Sequence, residues 1–95
     1  MNVLYKPAFR KFVKKQSRAF QLAIEDEVYE VLKTPQAAEQ KKGDLAGLRV
    51  HKFKFHRQEY LVAYTIKARD VVFYMIGTHE NFYRTLKSYK KEENT

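Results

Sequence analysis

The hydrophobic period of the chain changes near residue 48, and this change restricts the folds that the sequence can adopt. Upstream, apolar residues recur every three or four positions, which is typical of helices that bury one stripe. The stripe consists of Phe9, Phe12, Val13, Phe20, Ala23, Ile24, Val28 and Val31, with Glu27 as its polar interruption. From Leu48 onward follow three runs rich in β-branched and aromatic residues, LRVHKFKF, QEYLVAYTI and DVVFYMIG. A helical segment followed by a sheet predicts the α+β class.

The boundaries of the helical segment are marked by proline. The first five residues, MNVLY, predict a short strand, and Pro7 suits the first turn of a helix, where its missing N–H costs nothing. Thr34-Pro35 ends the segment, because a residue before proline is disfavoured in the helical region. Ser17 could cap a second helix, yet the apolar stripe stays nearly in phase across residues 16–18. The sequence therefore leaves open whether the segment is one helix or two.

The second half of the chain predicts a three-stranded antiparallel meander and a final helix. Polar breaks near Arg57-Gln58 and between Ala68 and Asp70 separate the runs, and the glycine-containing segment AEQKKGDLAG before them predicts a loop. After Gly77, helical spacing resumes at Phe82, Tyr83, Leu86 and Tyr89. Residues 91–95 predict a frayed tail. A length of 95 residues predicts one domain, spanning residues 1–95.

The charge of the chain bears on its partners. The formal net charge is +8, from 19 Lys and Arg against 11 Asp and Glu, which favours a nucleic acid or an acidic protein as partner. Acids gather at residues 25–30 and bases at residues 41–57 and in the last helix, and such segregation is typical of an electrostatic binding surface. A basic surface that is merely solvated is the alternative.

The composition of the chain and the length of its apolar runs exclude several classes of protein. The chain has no cysteine, which excludes disulfides and thiolate metal sites, and we expect no metal and no other cofactor. The longest apolar run, VVFYMI, is far shorter than the roughly 20 residues of a membrane span. The N-terminus lacks the apolar centre of a signal peptide. We therefore expect a cytoplasmic protein that has no membrane partner.

The run LRVHKFKF predicts two different faces on one strand. Alternation directs Phe53 and Phe55 to one face together with His51, and Lys52 and Lys54 to the other. Two cations about 7 Å apart along a strand suit successive phosphate oxygens or a pentavalent phosphorus, although a solvated face is the alternative. His51 is predicted to be a core or rim histidine unless a bulge after Gly47 changes the register.

His79 follows the last predicted strand and precedes the final helix, so it is expected at the rim of the sheet. A histidine that titrates near neutral pH can act as acid or base, which RNA cleavage by 2′-hydroxyl attack requires on both the attacking and the leaving oxygen. The alternative is a residue that merely starts the helix, a role that Thr78 or His79 could fill.

Three motifs together resemble the RelE/ParE superfamily of bacterial type II toxins. They are Gly47-Leu48-Arg49, the Tyr60 to Tyr64 strand, and the segment from Gly77 to Tyr83, and the resemblance spans roughly Lys41 to Tyr89. It implies an N-terminal strand and a helical hairpin packed on an antiparallel sheet, followed by a C-terminal helix. It also implies a cognate antitoxin as partner.

The resemblance assigns roles to individual residues. Lys52-x-Lys54 is similar to the lysine pair of RelE-type nucleases, and Gly77-Thr78-His79 followed by Tyr83 is similar to the ending of YafQ-type nucleases. It implies that His79 is a general acid or base, that Tyr83 positions the substrate or shares proton transfer, and that the lysines hold phosphate. Further RNA or phosphate contacts are predicted at Lys42, Arg49, His51 and Arg57.

The superfamily includes both ribosome-dependent mRNA endonucleases and gyrase poisons, so the residues have to decide between them. His79 and Lys52 favour an mRNA endonuclease that acts on the ribosome and inhibits translation. Leu61 occupies a position where RelE-type nucleases carry an arginine, which favours the alternative of a non-enzymatic ParE-like poison of DNA gyrase. A degenerate toxin that only binds its antitoxin is a further alternative.

Overall fold

The order of elements in a computed structural model, which describes residues 2–93, follows the sequence prediction closely. The elements are β1 (Val3–Tyr5), α1 (Pro7–Lys14), α2 (Arg18–Lys33), a 3₁₀ turn (Gly43–Leu45), β2 (Arg49–Phe55), β3 (Gln58–Lys67), β4 (Asp70–Thr78) and α3 (Phe82–Glu93). The α+β class, the meander and the C-terminal helix are thereby confirmed.

The four strands form one sheet in the order β1-β4-β3-β2. The two meander pairs are antiparallel, whereas β1 pairs in parallel with β4, from Val3 opposite Val71 to Tyr5 opposite Phe73. The β3–β4 register shifts between Ala63 and Tyr64, an irregularity that the sequence analysis did not predict. The first strand of the chain therefore completes the sheet beside the last one.

The helical segment is two helices, which answers the question that the sequence left open. Ser17 caps α2, because its hydroxyl accepts a hydrogen bond from the Phe20 N–H at 3.2 Å. The Gln21 side chain donates to the Val13 carbonyl at 2.9 Å and joins the two helices. The apolar stripe stays in phase across the break because Phe9 of α1 and Phe20 of α2 pack into the same core.

The sheet is the middle layer between two apolar cores. The core under α1 and α2 contains Phe9, Phe20, Ile24, Val28, Val31, Phe53, Val62, Tyr64, Val71, Phe73 and Ile76. The core under α3 and the 3₁₀ turn contains Leu45, Leu48, Leu61, Ala63, Val72, Tyr74, Met75, Phe82 and Leu86. We call the two sides of the sheet the hairpin face and the α3 face. Residues 71–76 of β4 are buried throughout, because both faces are covered.

Three boundaries differ from the prediction or refine it. The β2–β3 turn is His56-Arg57, one residue earlier than the predicted break, and both residues have positive φ, 50° and 69°. Helix α3 continues through Glu93, where a frayed tail was predicted from residue 91, and residues 94–95 lie outside the described part. Within residues 2–93, no helix has the length and apolar character that a membrane crossing needs.

Candidate functional site

The α3 face of the sheet carries both lysines of the predicted pair. Lys52 lies opposite Leu61 and Lys54 opposite Glu59 in the β2–β3 ladder. Val50 and Leu61 pack into the core under α3, and alternation therefore directs Lys52 and Lys54 to that same face. Both lysines are exposed. The predicted division of the β2 strand into an aromatic face and a lysine face is confirmed.

The β4 strand brings His79 to the same end of the sheet. Leu61 lies opposite Gly77, and strands are spaced about 4.8 Å apart, so Lys52 and Gly77 are about 10 Å apart across β3. His79 follows Thr78 directly, and it is exposed. The His79 carbonyl accepts a hydrogen bond from the Phe82 N–H at 3.2 Å, which fixes the loop at the start of α3. The position of His79 at the rim is as predicted.

Tyr83, in the first turn of α3, lies beside His79. The two ring centroids are 5.7 Å apart and the ring planes are nearly perpendicular, at 73°. The Tyr83 ring is half-buried and packs against the core under α3. A helix that begins three residues after His79 thus sets the tyrosine against the histidine through its first turn.

Lys41 is a site residue that the sequence analysis missed. Its ammonium lies 5.5 Å from the centroid of the Tyr83 ring, and its backbone N–H donates to the Leu48 carbonyl at 2.7 Å. Its neighbour Lys42, which was predicted as an RNA or phosphate contact, is exposed on the same loop. No local pattern indicates Lys41, because the loop and α3 meet only through the fold.

Two of the predicted phosphate-binding residues lie on the hairpin face, away from the lysine pair. Arg49 donates through Nη1 to the carbonyls of Gln36 and Ala38, in the segment that follows α2. His51 Nε2 is 2.7 Å from Glu27 Oε1 of α2, and both side chains are partly exposed. The structure therefore joins Arg49 and His51 to the helical hairpin and its following loop, rather than to His79.

The hairpin face also orients a buried tyrosine. The Tyr64 hydroxyl donates to the Pro35 carbonyl at 2.7 Å. Tyr64 itself lies opposite Arg49 in the β2–β3 ladder. Burial raises the pKa of Tyr64, and the nearby Arg49 charge lowers it in part. These contacts fasten the segment after α2 to the sheet, so Arg49 has a structural task in this fold.

Leu61 lies at the centre of the α3 face, between Lys52 and Gly77. Its side chain is fully buried in the core that contains Phe82. A Cβ at Gly77 would lie 3.7 Å from Phe82 Cδ1, so Phe82 covers this part of the sheet. The position where a RelE-type arginine is expected is therefore filled by packed apolar groups.

The arrangement has a definite chemical capacity. The His79 imidazole, the Tyr83 phenol and the Lys41 ammonium lie together at the start of α3. Lys52 and Lys54 lie on the same face of the sheet two strands away, with the Glu59 carboxylate opposite Lys54. Such groups can transfer protons and bind phosphate. Among residues 2–93, no cluster of three or more His, Asp or Glu side chains could hold a metal ion.

Comparison with known proteins establishes the family. Residues 3–87 match the family model described as the ParE-like toxin of type II bacterial toxin–antitoxin systems. The chain belongs to this family. It is thus the toxin of a two-component system, and a cognate antitoxin is its partner. No curated protein sequence matches it significantly.

Solved structures agree with the fold of this ParE-like toxin. The isolated E. coli RelE toxin is similar with 17% identity and a TM-score of 0.65 over 95% of this chain and 96% of that one. A free-state mutant of E. coli RelE gives a TM-score of 0.70 at 17% identity, over 95% of each chain. A chain of the intact E. coli RelBE toxin–antitoxin complex gives 0.64 at 16% identity, over 81% of this chain and 94% of that one. At these identities the likeness shows the fold alone.

Proposed function

We propose that this ParE-like toxin is a ribosome-dependent mRNA endonuclease that inhibits translation. The observation that carries the proposal is the contact between His79 and Tyr83, 5.7 Å between centroids, at the sheet end that Lys54 also approaches. An exposed imidazole beside a phenol and next to cations suits proton transfer at a phosphodiester.

The proposed reaction is attack of an mRNA 2′-hydroxyl on its adjacent phosphorus. The 2′-oxygen loses its proton and forms a bond to phosphorus, while the 5′-oxygen of the next nucleotide leaves and takes up a proton. His79 acts as general acid or base for one of these transfers, and Tyr83 positions the substrate or shares in the other. Lys52 and Lys54 hold the phosphate oxygens and offset the charge that develops on them.

The ribosome has a necessary part in this proposal. Leu61 is buried where RelE-type nucleases carry an arginine, so charge stabilisation by this protein depends on its other cations, such as Lys52 and Lys54. Alignment of the mRNA by the ribosome supplies orientation, which alone is worth up to about 7–11 kcal/mol in well-oriented reactions. The proposed partners are the ribosome and mRNA, and the proposed location is the cytoplasm, where both are found.

A second function is favoured by one observation. A buried leucine, Leu61, occupies the position where RelE-type nucleases carry an arginine. This favours a ParE-like toxin that binds DNA gyrase without cutting RNA. The same observation also fits, less directly, a toxin that has lost its target activity and only binds its antitoxin.

The deciding experiment compares the two targets directly. Purified protein is added to a cell-free translation reaction, and mRNA 5′ ends are mapped with and without ribosomes. In parallel, supercoiling and DNA cleavage by purified gyrase are measured. We expect cuts within codons only when ribosomes are present, and normal gyrase activity. Trapped gyrase–DNA cleavage complexes together with intact mRNA would reverse the assignment.

A further inference from the structure

The turn between β2 and β3 has a left-handed backbone, which is uncommon for residues other than glycine. It consists of His56 and Arg57, with φ of 50° and 69°, between strands that are paired up to Phe55 and Gln58. Two-residue hairpin turns with both φ values positive strongly prefer Asn-Gly, because other side chains are strained in this region. The chain therefore accepts strain at two successive positions.

The location of the turn connects it with the candidate site. Phe55 pairs with Gln58 at the turn, and Tyr60 pairs with Thr78 just before His79. The turn, Lys54 and His79 thus lie at the same end of the sheet. Both turn side chains are exposed, and the His56 ring lies 4.1 Å from the Phe55 ring, centroid to centroid.

The other hairpin of the sheet provides a contrast. Ala68, in the β3–β4 turn, also has positive φ, 54°, but it lies at the opposite end of the sheet and carries only a methyl group. It shares the backbone strain without offering a side chain that could contact a ligand. Substitution of Ala68 alone therefore tests backbone strain without removing a side chain that could bind a ligand, since its exposed neighbour Arg69 is kept.

We propose that His56 and Arg57 form an RNA-binding tip that contacts the phosphodiester backbone. The planar guanidinium of Arg57 binds phosphate oxygens in bidentate fashion, and the His56 ring donates to phosphate or stacks on a base. The tip continues the line of Lys52 and Lys54 along β2, and a row of cations that follows a strand suits the backbone of one RNA chain. Strained backbone clusters at active sites and ligand clamps, which fits a binding role for the two exposed turn residues.

The inference rests on the proposed function, because that function places the protein on the ribosome. The RNA that contacts the tip is then either ribosomal RNA or the mRNA on the ribosome. The two sources share the same phosphate chemistry. Empty ribosomes and ribosomes that carry a short mRNA separate them, because only the second contain the messenger. An acidic protein as the ligand of the tip is the competing assignment, and it is included in the test.

The test replaces the turn by the residues that its backbone prefers. The double variant His56→Asn with Arg57→Gly should raise the thermal midpoint of unfolding by about 2–5 °C. The relief of backbone strain in the folded state should exceed the cost of the greater conformational entropy that glycine gives the unfolded chain. Ala68→Gly should give a similar rise. In binding to purified ribosomes, the double variant should lose about tenfold in affinity, and its slope of log K against log salt should fall by about 0.7–0.9. Ala68→Gly should bind like wild type.

A conservative variant separates charge from geometry. Arg57→Lys keeps the charge, so we expect it to retain the wild-type salt slope while losing part of the affinity, because an ammonium cannot bind bidentately. A loss on empty ribosomes supports a contact with ribosomal RNA, and a loss only on programmed ribosomes supports a contact with mRNA.

Equal ribosome affinity and salt slope for wild type and the double variant would overturn the inference, even when wild type cleaves mRNA normally. Weakened antitoxin binding together with unchanged ribosome binding would also overturn it and assign the tip to the protein partner. A wild type that binds ribosomes through the tip but never cuts mRNA would contradict the proposed function alone.

Discussion

Replacement of His79 by alanine should remove activity and leave the fold intact. The side chain is exposed, and its ring packs nearly perpendicular to the Tyr83 ring. The hydrogen bond from the Phe82 N–H goes to the backbone carbonyl of residue 79 and remains in the variant. An aromatic pair contributes at most about 0.5–1.5 kcal/mol, and exposure puts this pair at the low end.

We therefore expect the free energy of unfolding to fall by about 1 kcal/mol or less, which corresponds to a midpoint shift of at most about 4–8 °C. Loss of a general acid or base, in contrast, lowers the rate by about 10²–10⁴-fold, or about 2.7–5.4 kcal/mol of barrier. The two effects differ enough to be separated by measurement.

The assay is single-turnover cleavage of mRNA on programmed ribosomes, accompanied by thermal unfolding and by antitoxin binding of the same preparation. Glu80→Ala, one position further along the same exposed loop, is the matched control and should leave all three measurements near wild type. Full cleavage by His79→Ala, or an unfolded His79→Ala protein, would refute the reasoning, because the histidine would then be a bystander or a structural residue.

The other predictions concern the lysines, Tyr83 and the antitoxin. Lys52→Ala combined with Lys54→Ala should weaken cleavage and flatten its dependence on salt, as measured by rates between low and high ionic strength. Tyr83→Phe keeps the ring against Lys41 and His79, so it should unfold like wild type but cleave about 10–150-fold more slowly, the worth of a hydrogen bond to a charged group; wild-type cleavage would reduce Tyr83 to a packing residue. Association with the cognate antitoxin should slow as salt rises, measured by stopped-flow mixing, and a salt-independent rate would count against electrostatic steering.

The sequence predicted the elements well where a single strand or helix decides the pattern. Alternation in β2 was enough to separate Lys52 from Phe53, because the hairpin face of this strand is covered whereas its other face is exposed at Lys52 and Lys54. The ambiguity at Ser17 had a physical cause. Two helices that pack on the same sheet face keep one apolar phase, so periodicity cannot reveal the break between them.

The candidate site was less accessible to sequence reasoning, since it is assembled from distant segments. The contact of Lys41 with Tyr83 depends on the path of the loop before β2 and on the placement of α3, neither of which has a local signature. The hydrogen bond from Arg49 to a carbonyl in the segment after α2 likewise joins two distant parts of the chain and has no local signature. The sequence identifies a basic residue but does not predict which contact it makes. It does not predict the positive φ values at residues 56 and 57 either.

The parallel pairing of β1 with β4 has a consequence for the order in which the chain acquires its structure. The backbone N–H of Asn2 donates to the Asp70 side chain across 68 positions of sequence. At a synthesis rate of about 5–20 residues per second, roughly 3–14 s separate the appearance of these two ends. For most of that time α1 and α2 have no sheet on which to bury Phe9 and Phe20, because the β2–β3 hairpin is complete only at Lys67. His79 and Tyr83 are made later still, so the candidate site exists only after every strand of the sheet has been synthesised.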